Sequence, residues 1–481
     1  MTRKSGSAIS NFQWAAAAQI GRVGLSLIGI TILARILPTS DFGLLAMATI
    51  VTNFASIIRD MGTSAAVIQR SELSNELLDT VFWSNVLFGV LLGGIVALTS
   101  PLTARAFHEP AIQPLLMYLS LAFPLGSSGA PHLALLERGS WFRSIAIIEI
   151  FSTTCGVVTG VVAAMHGAGV VSLVLQTLIG TALSSILFWA VSGWRPTGHW
   201  SRAELLGILG FSGNLVGFNI INYFSRNADG MLIGRVLGPV ELGVYNIAYR
   251  IMLFPLQNLT FVLNRAFLPI FSGQQHNPAL IGRNYLRVLQ FICVITAPMM
   301  FGLWSVREPF VLVVLGEKWR ASFPIIGWLA PTGFLQSVVS TTGTVLIATG
   351  KTWLMRNLGM VCAVIYVLSF VIGLPNGAVG VARAYFAANL VTSAIYLHYT
   401  LAQVDRRLID VAATLWRPLL AAMIMSALIV AAGNLIVPAD ASAVLKLVCL
   451  VPVGAVIYCV LLMVGARDIV AEMRAVILKK A

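Results

Sequence analysis

Arginine, asparagine and aspartate recur inside otherwise apolar stretches at separations of three, four and seven residues, the repeat of one helix face. Asn219, Asn222, Arg226 and Asp229 form one such stripe, and Asn246, Arg250, Gln257 and Asn264 form a second. Gln19, Arg22 and Ser26 line up near the start of the chain; Thr49, Asn53, Ser56 and Asp60 follow, with Arg59 beside them. At mid-depth in a bilayer an Arg or Asp costs about 2.5–3.5 kcal/mol even on the lenient insertion scale, so such residues face a bundle interior or a wet cavity. Interhelical glue is one use for them, with Arg226 pairing to Asp229. The set Arg22, Arg226 and Arg250 lacks enough nearby acids for that use and points to an anionic guest, because guanidinium grips phosphate through paired hydrogen bonds. Arg383 and Glu149 are further charges inside apolar runs. Asp60, Glu149 and Asp229 are the carboxylates that could couple an ion.

Other chemistries lack their residues. Ala348-Thr349-Gly350-Lys351-Thr352 resembles the tail of a phosphate-binding loop, but Val345 stands where that loop needs its first Gly. A helix-ending glycine followed by lysine explains the segment. His108-Glu109 opens like a zinc-protease helix, yet Pro110 follows and the second His is missing. There is no Asp-x-Asp clamp for a metal diphosphate, and no cofactor is expected. Cys155, Cys293, Cys362, Cys449 and Cys459 sit singly in apolar runs, without metal or disulfide spacing, and read as buried small hydrophobes. Gly89/Gly93, Gly156/Gly160 and Gly213/Gly217 put small residues on one helix face for close packing.

The elements that must position these residues are membrane helices. The chain of 481 residues is 58% hydrophobic and 10% charged, against about a quarter charged in soluble domains. Apolar runs of spanning length recur about fourteen times, from about 13–37 to about 444–465. They lack the alternation of a membrane barrel, so the fold class is an all-α polytopic helix bundle. The net charge of +13 is not gathered into a nucleic-acid patch. Lys and Arg concentrate in alternate connectors, among them Arg70, Arg138, Arg143, Arg195, Arg283, Lys351 and Arg407. By the positive-inside rule both termini are cytoplasmic and the number of spans is even. The first apolar run is too long for a signal peptide and reads as an uncleaved span.

The stretch Gly234 to Ala248, GRVLGPVELGVYNIA, has a twin 200 positions earlier in Ala34 to Ala48, ARILPTSDFGLLAMA: Arg35 matches Arg235, Gly43 matches Gly243, Ala48 matches Ala248. A second echo relates Leu136–Trp141 to Ala348–Trp353. The first echo, at a constant offset, implies duplicated lobes with the same loop at the head of each, and the second falls at about the corresponding place. This divides the chain into a six-helix lobe (1–195), a second six-helix lobe (196–404) and an accessory pair with a tail (405–481), hinged at the polar connector Gly193–Glu204. Connectors are short throughout, leaving no room for a separate catalytic domain, so the chain reads as a non-enzyme.

Several segments resemble the polysaccharide flippases of the Wzx type within the multidrug/oligosaccharidyl-lipid/polysaccharide exporter superfamily. These are ARILPTSDFGLLAMATIVTNFASIIRDMGTSAAVIQR, RNADGMLIGRVLGPVELGVYNIAYRI with Arg265–Pro269 downstream, and Leu315-Gly316-Glu317-Lys318-Trp319. The resemblance implies two lobes rocking about a central cationic cavity in the bacterial inner membrane. Its cargo would be an undecaprenyl-diphosphate-linked oligosaccharide repeat unit, moved from the cytoplasmic to the periplasmic leaflet. By position, Arg22, Arg59, Arg226 and Arg250 are the candidate diphosphate and sugar ligands, with Asn219, Asn222, Asn246 and Arg383 lining the same cavity. A polysaccharide polymerase and a chain-length regulator would use the product. The competing readings are a lipid-linked peptidoglycan precursor flippase, a drug or metabolite exporter of the same superfamily, and a membrane polymerase or glycosyltransferase.

Overall fold

The apolar runs fold as helices, as they must where no water can satisfy the backbone. A computed structural model describes residues 8–59, 67, 74–275, 277–435, 438 and 441–467, and among these there is no strand. Among the described residues, sixteen α-helices with defined bounds follow one another: α1 (Ala8–Ile36), α2 (Thr39–Arg59), α3 (Asn75–Phe107), α4 (Ile112–Ser120), α5 (Ala122–Arg138), α6 (Phe142–Met165), α7 (Val171–Ser192) and α8 (Arg202–Gly273). After them come α9 (Pro278–Ser305), α10 (Arg307–Val314), α11 (Ser322–Val339), α12 (Thr342–Ala348), α13 (Thr352–Gly373), α14 (Gly377–Ala402), α15 (Leu408–Leu435) and α16 (Ala443–Gly465). Nine helical stretches among the described residues are long and apolar enough to cross a membrane, and one of these, Thr352–Ala402, holds two passages. The helix α8 breaks at Gly238, where φ is 85°, and Leu242 just beyond the break returns against Gly230 and Gly234. With α4 continuing into α5, α11 into α12, and α10 too short to span, the described chain makes fourteen helical passages, the number that the apolar runs predict.

The chain packs as two compact units, Met1–Gly243 and Val244–Ala481. Packing therefore divides it inside the second copy of the repeated motif, whereas the sequence repeat divides it at the Gly193–Glu204 connector.

In the first unit, α6 packs on α1 and α7, and α5 packs on α3 and α7. Of the glycine pairs expected as packing faces, Gly89/Gly93 and Gly156/Gly160 are placed so, while Gly213/Gly217 lie outside the residues whose side chains are described. A Cβ at Gly89 would lie 2.5 Å from the Ser127 hydroxyl, and one at Gly156 would lie 2.6 Å from the Gln176 carbonyl. The tightest approach is made by the twin motifs. A Cβ at Gly43 would lie 1.7 Å from the carbonyl oxygen of Pro239, and a Cβ at Gly243 would lie 2.0 Å from that of Thr39. Residues 39 and 239, and 43 and 243, are the same positions of the repeat. The contact is thus reciprocal, as a two-fold axis requires.

In the second unit a core runs through Tyr285, Leu289, Cys293, Leu401, Val411 and Tyr458. The last two helices, which have no counterpart in the repeat, are tied into it: the Tyr458 hydroxyl donates to the Val294 carbonyl at 3.0 Å, and the Ser305 and Ser426 hydroxyls lie 2.5 Å apart. The cysteines do not all behave as core residues. Cys293 and Cys362 are buried, Cys155 is half-buried, but Cys449 and Cys459 are exposed on α16. In a bilayer an apolar run marks lipid-facing surface as readily as core, because both solvents reject polar atoms equally.

The segments of the second echo both contain a helix stop. The helix α5 ends with Ser140 left-handed (φ 57°) and a bond from the Trp141 N–H to the Leu136 carbonyl, 2.9 Å. The helix α12 ends with Gly350 left-handed (φ 72°) and the Lys351 N–H on the Leu346 carbonyl, 2.7 Å. The two stops are alike in geometry, two positions out of the register of the sequence echo, and Gly350 terminates its helix.

Alanine at Gly43 or Gly243 must force the two backbones apart. Each of Gly43→Ala and Gly243→Ala is expected to cost at least about 3 kcal/mol. Gly24→Ala, where the added methyl meets nothing within 4 Å, should stabilise its helix by about 0.5–1 kcal/mol. Thermal unfolding of the purified protein in one detergent checks this, and a Gly43→Ala variant melting with the parent would contradict the crossing.

Candidate functional site

The first unit holds most of the predicted charges. Gly21 of α1 rests on Ile150 of α6, which a Cβ would approach to 3.0 Å. This close pairing brings Arg22 to Glu149. The guanidinium Nη1 donates to Glu149 Oε1 at 3.0 Å and its Nη2 donates to Gln19 Oε1 at 2.5 Å. The Arg22 side chain stays 43% exposed while Glu149 is 21% exposed. An arginine proposed for the guest and a carboxylate proposed for an ion are therefore partners, 127 positions apart in the chain.

Arg59 ends α2 half-buried, and its Nη1 lies 3.2 Å from where a Cβ at Gly126 of α5 would stand, with the Thr181 methyl of α7 also close. The missing side chain at Gly126 leaves room for the guanidinium. On the first arm of α8, Arg226 is exposed and Asp229 buried, the Asp229 carboxylate accepting from the Gly230 N–H at 2.8 Å. One turn earlier, the Tyr223 hydroxyl donates to the Ile50 carbonyl of α2 at 2.5 Å. In the second unit Asn246 is half-buried, while Arg250 on the second arm of α8 and Arg383 on α14 are exposed. Asp60 lies outside the described residues, and the side chains of Asn219, Asn222, Gln257 and Asn264 do too.

Two polar assemblies escaped the sequence reading. The first fastens the Gly193–Glu204 connector to α3. Buried Asp79 accepts from the Thr197 N–H at 3.0 Å and from its hydroxyl, the Ser201 N–H donates to Thr80 at 3.0 Å, and the Trp200 indole donates to Ser84 at 3.2 Å. Nothing local links Asp79 to Thr197, 118 residues away. The second sits in the second unit: Gln336 donates to the Tyr385 hydroxyl at 2.5 Å, and Tyr366 reaches Asn389 at 3.3 Å and Thr392 at 2.8 Å. Tyr385, Asn389 and Thr392 step by four and three along α14, so the rule that found the arginine stripes applies here as well. After α10, Leu315-Gly316-Glu317-Lys318-Trp319 folds about Gly316 (φ 99°) and buries Trp319 completely. The neighbouring Arg320 holds the exposed Glu317 carboxyl below its ordinary range.

The second unit also contains an apolar cavity of about 800 Å³, lined by Phe254, Pro298, Leu303, Met425, Leu447 and Val451 among others. Its walls come from the second arm of α8, from α9 and α10, and from the terminal helices α15 and α16.

The fold is that of solved helical membrane transporters. A structure described as "Lipid II flippase MurJ, inward closed conformation" superposes with a TM-score of 0.75, covering 95% of this chain and all of that one at 15% identity. An inward-facing multidrug-resistance transporter of the MATE family aligns at 0.62, covering 82% and 98% at 15% identity. At sequence level, residues 32–324 match the family described as "Polysaccharide biosynthesis protein". The lipopolysaccharide biosynthesis protein WzxC of Escherichia coli is 30% identical over 388 residues, 80% of this chain and 79% of the relative. The succinoglycan biosynthesis transport protein ExoT of Rhizobium meliloti is 28% identical over 466 residues, covering 96% and 94%. The chain belongs to this polysaccharide biosynthesis family and is a multi-pass helical membrane protein.

The Arg22–Glu149 pair should be measurable in stability. Arg22→Met and Glu149→Gln each leave a partner stranded, and the double variant removes both. A double-mutant cycle on thermal unfolding is expected to return a coupling of about 1 kcal/mol, reduced from a buried pair's worth by the exposure of Arg22. Additive effects would remove the pair.

Proposed function

We propose that the protein carries undecaprenyl-diphosphate-linked oligosaccharide repeat units from the cytoplasmic to the periplasmic leaflet of the bacterial inner membrane, for exopolysaccharide or O-antigen assembly. The observation that carries this reading is the family membership combined with arginines on spanning helices: Arg22, Arg59, Arg226 and Arg250. A diphosphate and a sugar head cannot cross hydrocarbon without polar partners, and guanidinium is suited to phosphate by shape as well as charge. Asn219, Asn222, Asn246 and Arg383 add polar groups for the head. The lobes of the repeat, 1–195 and 196–404, would alternate access to it, with 405–481 as the accessory pair. The apolar cavity beside α15 and α16 suits a stretch of polyprenyl chain, which keeps its own solvent while the head moves.

Basic residues in alternate connectors support a topology with both termini in the cytoplasm. Asp60, Glu149 and Asp229 are the acids available for ion coupling. A polymerase and a chain-length regulator would receive the product. The relatives are named for biosynthesis and transport, and no part of the proposed step makes or breaks a covalent bond, so the chain acts as a transporter and not an enzyme. A drug exporter handling organic cations would need unpaired acids where this chain places arginines.

The test is transport in liposomes containing lipid-linked oligosaccharide, with an impermeant sugar-modifying enzyme outside. The protein should make the inner-leaflet half accessible. Arg250→Ala or Arg226→Ala should insert normally and lose transport by about tenfold or more, the loss of one charge-assisted phosphate contact, with Arg250→Lys intermediate. Full activity in both alanine variants would overturn the cationic-cavity reading.

A further inference from the structure

Arg22 is held by an anion that belongs to the protein. Its guanidinium divides its donors between Glu149 Oε1, at 3.0 Å, and Gln19 Oε1, at 2.5 Å, and the side chain remains 43% exposed. Glu149 is the more enclosed partner. An arginine placed for an anionic guest, if left unpaired in the empty protein, would carry an uncompensated charge in a poorly solvated place. An internal carboxylate removes that penalty but competes with any phosphate for the same nitrogens. We propose that Glu149 is a tethered competitor for the diphosphate at Arg22: it satisfies the arginine in the empty protein, is displaced by the substrate, and by returning drives release. The inference rests on the flippase reading above and names the residue that sets its affinity.

Displacement has a proton consequence. The helices packed on α6 are α1, α5 and α7. From α1 the charged group facing Glu149 is Arg22 itself. From α5 the acidic residue is Glu137, half-buried at the end of that helix. On the same helix Arg138 is engaged with the Val67 carbonyl at 2.9 Å, and His132 is buried against Ser192 at 2.8 Å. Arg143, on α6 itself, lies over the Trp14 ring. The helix α7 carries no charged residue. Once the diphosphate takes Arg22, Glu149 has lost the cation it pairs with, and its partly enclosed place and the arriving phosphates favour its protonated form. Substrate binding then takes up a proton at Glu149. By linkage, affinity rises as pH falls, and protonation in turn frees Arg22 for the diphosphate.

The probe is farnesyl-diphospho-N-acetylglucosamine, whose doubly esterified diphosphate keeps its charge across the range used. Binding to the full-length protein in nanodiscs is followed by calorimetry at about pH 6 and about pH 8, in two buffers of different ionisation heat, so that proton uptake is read directly. The parent should bind more tightly at the lower pH and take up a fraction of a proton. Glu149→Gln should bind about tenfold more tightly at the higher pH, a gain of about 1.4 kcal/mol, lose the proton uptake, and flip lipid-linked oligosaccharide more slowly because release is slowed. Arg22→Met should weaken binding and abolish the pH dependence. If parent and Glu149→Gln bind equally, with equal proton counts, the competitor role is overturned while the flippase reading stands. If the parent binds the probe at neither pH, both fall together. The parent's own proton count needs no variant, so a misfolded Glu149→Gln cannot hide the outcome.

Discussion

Two carbonyl oxygens lie where two side chains would have to be. Gly43 meets the backbone of Pro239, and Gly243 meets the backbone of Thr39, each so closely that no Cβ fits between. This one reciprocal contact fixes how α2 and the broken helix α8 cross, and much of the first unit follows from it. Once Gly43 is seated on the turn at Gly238, the arm of α8 that carries Arg226 and Asp229 runs back beside α2, where Tyr223 bonds to Ile50. Helix α2 then delivers Arg59 at its far end into the space left by Gly126. Backbone-to-backbone contact suits this task in a membrane. No hydrophobic force distinguishes helix from lipid, and close approach through small residues is the main source of packing energy.

The same economy governs the charges. Three enclosed or half-enclosed ionisable groups are answered by something close at hand: Arg22 by Glu149 and Gln19, Asp229 by the Gly230 N–H, Asp79 by the connector residue Thr197. A protein that accepts an anionic guest and then lets it go cannot hold bare arginines, because their desolvation would be costly when empty and their grip too strong when filled. Internal anions of modest strength resolve that conflict. The Arg22–Glu149 pair, with one partner enclosed and the other open, has the asymmetry such an exchange needs.

The two units divide their chemistry differently. The first collects Arg22, Arg59, Arg226, Asp229 and Glu149. The second leaves Arg250 and Arg383 accessible, gathers neutral amide and phenol groups around Asn389, and builds an apolar cavity with the help of its last two helices. Those helices fall outside the duplication, yet share a core with α9. An added pair thereby becomes one wall of a cavity.

Much of this was legible from the chain alone. Apolar length determines that a segment spans and is helical, since hydrocarbon leaves the backbone no other partner. The 200-residue echo marks the positions that meet, and helical spacing exposed the arginine stripes as well as the small-residue faces at Gly89 and Gly156. Spacing along one helix, however, says nothing of what stands across from it. That Arg22 faces Glu149, that Asp79 receives the connector, and that Cys449 and Cys459 lie on the outside are matters of which helix packs against which. In a membrane both lipid and core are apolar, so composition cannot distinguish an inward face from an outward one. Only the tertiary packing assigns each polar group its partner.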